Sequence, residues 1–182
     1  AIFTIDARDL AGKTVVCSEQ LITGTEDFER IVARHEDPRD ANQSVTFPKI
    51  ATSASDAEDG DGFVLGTGIA RIRDEVEYHN LRPGIEYTMN GTLYDKQTNA
   101  AISDKDGHVV SAQTKFVPER EDGSVVLEFV FDASHTSSTS AVVFESCLRN
   151  DVEVAVHANI NDESQTVRIA RIKTEATEKN SG

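Results

Sequence analysis

Every second residue is apolar in several segments of the chain, among them 125–132 (VVLEFVFD) and 152–157 (VEVAVH). This period of two is typical of half-buried β-strands, and no stretch shows the sustained spacing of an amphipathic helix. Short runs rich in Asp, Gly and Pro separate the apolar segments and predict turns at 58–62 (EDGDG), 82–84 (RPG), 104–107 (DKDG) and 121–123 (EDG). The pattern therefore predicts an all-β fold with two packed sheets.

The sequence also repeats itself. Residues 129–133 (FVFDA) resemble residues 3–7 (FTIDA), and Glu145 follows Glu19 at the same offset of 126 residues. Further along, 154–167 (VAVHANINDESQTV) resembles 31–45 (IVARHEDPRDANQSV). The second offset is 122 residues, because the first copy has a longer hairpin. We therefore expect the chain to be a window on a tandem array of domains.

This repeat predicts three parts. Residues 1–47 are the C-terminal strands of a preceding, truncated repeat, and residues 48–170 form one complete repeat. Residues 171–182 begin a following repeat or form a disordered tail. Because the first part lacks its opening strands, we expect it to fray or to pair its open edge with another strand.

Charge and cysteine content exclude several classes of function. The formal net charge of −14 repels phosphate and anionic lipid, so neither a nucleic acid nor a membrane is an expected partner. No run of eighteen apolar residues and no basic leader with an apolar core is present, so neither a membrane span nor a signal peptide is expected. Cys17 and Cys147 are too few for a disulfide framework or a zinc site, and we expect two unpaired, mostly buried thiols.

Two acidic turns, Asp56–Gly62 and Asp104–Gly107, superficially resemble calcium loops. An EF-hand loop needs flanking helices and a bidentate Glu at its twelfth position, and the sequence shows neither. We therefore interpret both segments as hairpin turns and predict no metal and no cofactor.

Five polar residues lie in or beside apolar strand segments of the complete repeat. They are Thr52, Asp74, Glu145, His157 and Gln165. Three recur in the truncated repeat as Glu19, His35 and Gln43, and the threonine recurs as Thr174. A glutamine eight residues after a histidine in both copies indicates a more specific role than a solvated strand edge.

An ordered set of motifs carries a resemblance to a known family: residues 74–87 (DEVEYHNLRPGIEY), 91–93 (GTL), 142–145 (VVFE) and a histidine separated by seven residues from QTV, ending at Val167. The set resembles the VaFE-type repeats of Gram-positive surface adhesins over essentially all of residues 48–170. The resemblance implies an immunoglobulin-like β-sandwich that acts as a stalk module. It also implies an internal ester, formed once when a Thr hydroxyl attacks a Gln side-chain amide and releases ammonia.

The resemblance assigns a role to each of the five residues. Thr52 is the nucleophile and Gln165 the electrophile, while Asp74, Glu145 and His157 match the supporting acidic and histidine positions. A Thr hydroxyl needs a base, and His157 has a suitable pKa. Two buried carboxyl groups in contact cannot both ionise, so we expect one of Asp74 and Glu145 to keep its proton and polarise the Gln165 carbonyl. Water must be excluded, or the ester would hydrolyse.

One departure between the two copies bears on this chemistry. Asp37 lies two residues after His35, whereas the complete repeat has Asn159 at that position; Asp162 is retained and matches Asp40. If the first of these acids orients the imidazole, the reaction in the complete repeat should be slow. In the truncated repeat, Glu19, His35 and Gln43 lack a threonine partner, and Thr174 lacks a glutamine.

The sequence therefore predicts a structural stalk domain of a cell-wall-anchored, extracellular adhesin. Its crosslinking is a single self-reaction and not enzymatic turnover. The expected partners are adjacent repeats of the same chain and a host ligand bound through a distal adhesin domain. Two alternatives stay open: a sandwich whose loops bind a host protein or glycan, and a hydrolase that uses Asp74 and Glu145 on an external substrate.

Overall fold

A computed structural model of the chain describes residues 2–7, 9–25, 28–172 and 174. The described ranges contain thirteen β-strands and three short 3-10 turns, which confirms the all-β prediction. None of the helical turns within these ranges is long and apolar enough to cross a membrane. The strands are β1 Thr14–Val16, β2 Glu19–Thr25, β3 Phe28–His35, β4 Ser44–Thr46, β5 Lys49–Asp56, β6 Phe63–Leu65, β7 Ile69–His79, β8 Tyr87–Asp95, β9 Ser111–Phe116, β10 Gly123–Asp132, β11 Ser140–Arg149, β12 Val152–His157 and β13 Thr166–Ala170. The 3-10 turns are η1 Ala41–Gln43, η2 Ala133–His135 and η3 Glu163–Gln165.

Two sheets enclose the core of the complete repeat. The smaller sheet has the strand order β10-β7-β5, and the larger has the order β6-β13-β11-β8-β9, with β12 also paired to β11. All of these pairings are antiparallel except that of β13 with β6. The largest fully buried apolar side chains between the sheets are Phe129, Ile72, Leu81, Met89, Leu93, Leu127, Val64, Val76 and Val143.

The alternation of apolar residues in β10 buries one face of the strand, as predicted. Leu127, Phe129 and Phe131 are buried, whereas Val126 and Val130 face solvent on the opposite side of the strand. Because successive side chains of a strand point to opposite faces, this pattern places one face of β10 on the core.

The valines of β12 do not share one environment. Val152 and Val156 are exposed and Val154 packs partly buried against the core, while Ala155 is buried and His157 is partly buried. The pairing with β11 shifts at a bulge between Cys147 and Leu148, which changes the face that each residue presents. His157 consequently lies directly opposite Glu145, on the inner side of the sheet.

One edge of β11 is shared by two strands. Its residues 140–142 pair with β13, and its residues 145–149 pair with β12. The chain that joins β12 to β13 passes the break between them, and it carries η3 there. This break allows a side chain of η3 to enter the core from the sheet edge.

Strands β1–β4 reproduce the pairing of β11–β13. The same bulge follows Leu21 in β2 and Cys147 in β11. Equivalent partners are Val15–Val45 and Ala141–Val167 in the first pair of strands, and Glu19–His35 and Glu145–His157 in the second. The strand pairing of β1–β4 thus repeats that of the last third of the complete repeat.

This N-terminal segment forms its strands without a closed core. All residues of β2 and β3 are exposed, including Leu21 and Phe28, and Phe3 and Val45 also face solvent. Among the described residues, β1 pairs with β4 in continuous register and β2 pairs with β3 with a shift after Leu21, and the expected fraying of this segment stays a prediction. Both cysteines are free thiols, with Cys147 buried and Cys17 partly buried.

Arg171 closes the far end of the complete repeat. Its guanidinium donates to the carbonyl oxygens of Ser138 and Ala133 at 2.6 Å each and to that of Thr136 at 2.5 Å. Its stem needs the absence of a side chain at Gly66, where an added Cβ would lie 2.3 Å from Arg171 Cγ. Three loop carbonyls thus share one cation.

Replacing Arg171 with Ala should lower the free energy of unfolding by about 1–3 kcal/mol, since charged hydrogen-bond donors are lost from carbonyl groups at the loop. Denaturant unfolding measures this change. Arg120→Ala removes an exposed arginine without a described side-chain partner and should change stability by less than about 0.5 kcal/mol. Equal effects of both substitutions would contradict the role given to Arg171.

Candidate crosslinking site

Thr52 and Gln165 meet in the core. Gln165 Nε2 donates a hydrogen bond to Thr52 Oγ1 at 2.7 Å across 113 residues of sequence. Thr52 is 7 % exposed and Gln165 is fully buried. The structure therefore brings together the two residues that the sequence nominated for the crosslink, in a place from which water is excluded.

The two residues reach this point from different elements. Thr52 lies in β5, the first strand of the complete repeat, on the face that packs against the core. Gln165 ends η3 and immediately precedes β13, the last strand. In a continuous edge strand, the Gln165 side chain would lie above or below the plane of the sheet. The turn instead directs its amide into the core through the gap between β12 and β13 at the edge of β11.

Local hydrogen bonds hold η3 in position. The Asp162 carboxylate caps the turn by accepting from the Ser164 backbone N–H at 2.9 Å, and Thr166 Oγ1 donates to the Asp162 carbonyl at 2.7 Å. Lys96 Nζ reaches Glu163 Oε1 at 2.5 Å. Ser164 Oγ also donates to the Thr52 carbonyl at 3.1 Å, so η3 is tied directly to β5.

Glu145 lies against the reacting amide. Its Oε2 accepts a hydrogen bond from Gln165 Nε2 at 2.5 Å, so that nitrogen donates to both Glu145 and Thr52. Glu145 is 1 % exposed and Asp74, on β7 of the opposite sheet, is fully buried. The two carboxyl groups interact with each other through their side chains.

Burial raises the pKa of both carboxyl groups, because the charged form loses its water. The Asp74 charge raises the pKa of Glu145 further, while a hydrogen bond from Glu145 and the positive charge of Arg73 limit the rise at Asp74. Glu145 is therefore the acid that retains its proton at neutral pH. With both groups ionised, neither Asp74 oxygen nor Glu145 Oε1 has a hydrogen-bond partner. A proton on Glu145 Oε1, donated to Asp74, supplies the missing bond.

The position of this acid differs from the one expected. We predicted that the protonated acid polarises the Gln165 carbonyl, but Glu145 contacts the amide nitrogen, and Gln165 Oε1 is buried without a partner. The reason is that both hydrogen-bond acceptors beside the amide, Thr52 Oγ1 and Glu145 Oε2, attract its N–H groups. The acid is placed to exchange a proton with the leaving nitrogen.

His157 belongs to the same cluster but does not hydrogen-bond to Thr52. It lies opposite Glu145 across β11 and β12, and its Nε2 is 3.1 Å from Asp162 Oδ2. An Nε2–H held by this carboxylate leaves Nδ1 as the basic atom, and Nδ1 is buried without a partner. The imidazole is therefore oriented with a free basic nitrogen, but that nitrogen makes no hydrogen bond to the Thr52 hydroxyl.

Asn159 has no contact with the imidazole. Its Oδ1 accepts from the Asn161 backbone N–H at 3.1 Å, and Asp37 makes the equivalent bond to the Arg39 N–H at 2.9 Å. In the truncated repeat the partner of His35 is Asp40, at 2.9 Å, as Asp162 is that of His157. The change from Asp to Asn therefore affects a turn residue and leaves the histidine–carboxylate pair intact.

Gly91 makes room for the cluster on the other side of Glu145. It pairs with Glu145 across β8 and β11. A Cβ added at Gly91 would lie 2.6 Å from Phe129 Cζ and 2.7 Å from Leu127 Cδ1, both on the opposite sheet. In the sequence, Gly91 stands out only as the first residue of the GTL motif. Nothing in the sequence points to Lys96 or Ser164. Lys96 is far from Gln165 along the chain, and serine is too common a residue type for Ser164 to stand out.

The partial copy of the site has the same internal contacts. Gln43 Nε2 donates to Glu19 Oε2 at 3.3 Å, and Glu19 pairs with His35 in the β2–β3 hairpin. Gln43 Oε1 is buried without a partner. Thr174 is exposed and lies outside every described strand, and the residues that follow it are outside the described ranges.

The two acidic turns form as predicted. Asp56, Asp59 and Asp61 each accept a backbone N–H two residues further on, and Asp104 accepts those of Asp106 and His108. Their carboxylates therefore stabilise turn backbone.

Comparison with known proteins identifies the family. A model of the family described as "T-Q ester bond containing domain" matches residues 2–47 and, separately, residues 48–169. The chain therefore belongs to the family of T-Q ester bond containing domains. No curated protein matches the sequence.

Solved structures show the same fold. A bacterial adhesin from Mobiluncus mulieris, described as containing intramolecular disulfide, isopeptide and ester bond cross-links, is 15% identical with a TM-score of 0.57 over 68% of this chain and 57% of that chain. A second crystal form of this adhesin gives 15% identity and a TM-score of 0.54, over 69% and 58% of the two chains. The chain thus spans less than two thirds of the length of the adhesin chains it matches.

Replacing Gly91 with Ala should lower the free energy of unfolding by about 1–3 kcal/mol, because the new methyl group overpacks the contact with Phe129 and Leu127. Gly62→Ala is the matched control, since a Cβ there meets no atom within 4 Å. Denaturant unfolding of both variants gives the comparison. Tolerance of Ala at position 91 would show that the sheets are not in close contact here.

The carboxyl pair should make stability depend on pH when no ester is present. In a Thr52→Ala background, the stabilising protonated state is complete below the ordinary carboxyl pKa of about 4 and is lost as pH rises through the raised pKa values. The free energy of unfolding should therefore fall with increasing pH. Adding Glu145→Gln should flatten the curve, and an unchanged slope in the double variant would exclude Glu145 as its source.

Proposed function

We propose that the complete repeat is a stalk domain of a bacterial cell-surface adhesin, stabilised by a self-formed ester between Thr52 and Gln165. The observation that carries this proposal is the 2.7 Å contact between Thr52 Oγ1 and Gln165 Nε2 inside a closed core. An ester-forming reaction requires a buried threonine and glutamine in contact, together with acids that can transfer protons. The Asp74–Glu145 pair lies beside the same two residues.

In the proposed reaction, Thr52 Oγ1 attacks the side-chain carbonyl carbon of Gln165. The Asp74–Glu145 pair takes up the hydroxyl proton and returns a proton to Nε2, and the C–N bond breaks to release ammonia. The products are one ester and one ammonia, with no net change in the protons of the pair. Glu145 suits this relay because it interacts with both Thr52 and Gln165. His157 faces the pair from β12 and supports it electrostatically.

The position of the bond supports a mechanical role. β5 opens the complete repeat in one sheet, and η3 lies directly before β13, its last strand, in the other sheet. An ester there closes a loop of 113 residues and joins both sheets. On the chain-entropy description of crosslinks, such a loop contributes about 4–5 kcal/mol. Tension applied at the two ends of the repeat would pass through covalent bonds instead of strand pairing.

Membership in the ester-bond family and the fold shared with a Mobiluncus adhesin support an extracellular setting. We propose that the protein is a cell-wall-anchored surface adhesin, that this domain adjoins further repeats of the same chain, and that a distal domain contacts the host. The reaction occurs once in each domain, so the domain is not an enzyme with turnover. A hydrolase that acts on external substrates is disfavoured because Asp74 and Glu145 are buried.

Intact mass tests the ester. The parent chain should weigh less than its calculated mass by one ammonia, and Thr52→Ala should show its full calculated mass. Gln43→Glu is the control, because Gln43 has the same local contacts but no threonine partner among the described residues. This variant should keep the deficit of one ammonia. A parent chain at full mass after prolonged incubation would overturn the proposal.

The proton relay can be separated from histidine catalysis by following the mass after refolding. Glu145→Gln should slow ester formation by about 10²- to 10⁴-fold, the usual contribution of acid–base catalysis. His157→Gln should slow it much less, since His157 has no contact with Thr52. The reverse order of effects would identify His157 as the base that deprotonates Thr52.

A further inference from the structure

A small pocket of about 160 Å³ lies where the N-terminal segment joins the complete repeat. Thr46 contributes one wall, and Asn80, Arg82, Tyr87 and Arg149 contribute most of the remainder. None of its lining residues is acidic. Two arginines therefore line one cavity that has no carboxylate in its walls.

Two arginines without acidic partners are unusual in a chain of this composition. Acidic residues outnumber Lys and Arg by 32 to 18. Nevertheless, within the described ranges, neither the Arg82 nor the Arg149 side chain makes an ion pair or a hydrogen bond. Nearby acids are engaged elsewhere, since Asp122 contacts His79 and the Asn80 backbone N–H, and Glu86 pairs with Lys115. The two arginines keep an uncompensated positive charge at one point of an acidic molecule.

The Arg149 side chain carries the stronger signal. Its Nε is buried and has no hydrogen-bond partner. A buried donor without a partner destabilises the fold, and the effect is larger when the group is charged. Nε and one Nη of an arginine present two parallel N–H donors that match the two oxygens of a carboxylate. A bound oxyanion would satisfy the buried donor and neutralise the charge together.

Tyr87 and Asn80 supply polar atoms to the remaining walls, and Pro48 and Val154 supply apolar surface. Tyr87 is buried, and its hydroxyl oxygen accepts from the Arg82 backbone N–H at 3.1 Å, which holds the loop that carries Arg82 against the pocket. Asn80 Nδ2 makes only a long bond, 3.5 Å, to the Phe47 carbonyl. Its amide can therefore turn toward a ligand oxygen at little cost.

We propose that this pocket, the junction pocket, binds the carboxylate group of a small acidic ligand. Arg149 binds the two carboxylate oxygens through Nε and one Nη, and Arg82 supplies the second positive charge. The volume suits an anionic head group, since it is well below the 300–1,000 Å³ of sites that enclose whole drug-sized ligands. The rest of the ligand lies outside. Because Thr46 belongs to the preceding repeat, an occupied pocket also links the two repeats.

Titration followed by amide NMR spectra tests this site with two probes, acetate and glucuronate, and with glucose as the neutral comparison. Both acids should shift the backbone amides of Asn80, Arg82 and Arg149 in a saturable manner, and glucose should not. Equal affinities would identify a site for free carboxylates. Tighter binding of glucuronate would identify acidic saccharides as the source of the carboxylate.

Two variants and a control decide which groups bind. Arg149→Gln should weaken binding at least tenfold, and Arg82→Gln, an exposed position, provides a second variant if the first fails to fold. Arg120→Gln removes an exposed arginine outside the junction pocket and should leave binding unchanged. Absence of saturable shifts in the parent, or equal binding by the parent and both pocket variants, would overturn the proposal. All measurements can be made in Thr52→Ala as well, so their outcome does not depend on the ester.

Discussion

The structure depends on one constraint: a hydroxyl, an amide and two carboxyl groups are buried together between the sheets. Buried polar groups must find partners, and a buried pair of carboxyl groups must share a proton. Thr52 and Glu145 both accept from the Gln165 amide nitrogen, and Asp74 faces Glu145 from the opposite sheet, while Gln165 Oε1 has no hydrogen-bond partner. The arrangement is costly as a means of packing a core. It is well suited to a reaction that removes two of these polar groups by joining them.

The break along the edge of β11 makes this arrangement available. A continuous strand would cover the edge, and no side chain could enter from outside the sheet. Because β12 and β13 share that edge, the turn between them delivers Gln165 to Glu145 and places His157 on the adjacent strand. The same break, with the same bulge, is present in the truncated copy. The repeated unit therefore includes the break, the bulge and the turn that direct the glutamine toward the glutamate, in addition to the paired strands.

The two ends of the complete repeat are held by different interactions. At the far end, Arg171 donates to three loop carbonyls. The residue at the equivalent repeat position, Lys49, packs beside Gly12 at the near end. Between Thr46 and the complete repeat, Arg82 and Arg149 keep unpaired charges. Lys49 and Arg171 thus occupy equivalent positions of the repeated sequence, and each contacts residues that precede it in the chain.

The sequence by itself determined the all-β class, and it pointed to the similarity of the two segments and to Thr52 and Gln165 as a pair, because strand alternation and motif order are local properties. It did not determine that Gln165 lies in a turn, that Glu145 contacts the amide nitrogen, or that Ala155 and His157 form the inner face of β12. Each of these depends on a bulge or on a break in pairing, which shift the register without changing composition. Asn159 illustrates the difference: its identity suggested a weakened site, and only the folded contacts assign it to a turn and give Asp162 to His157.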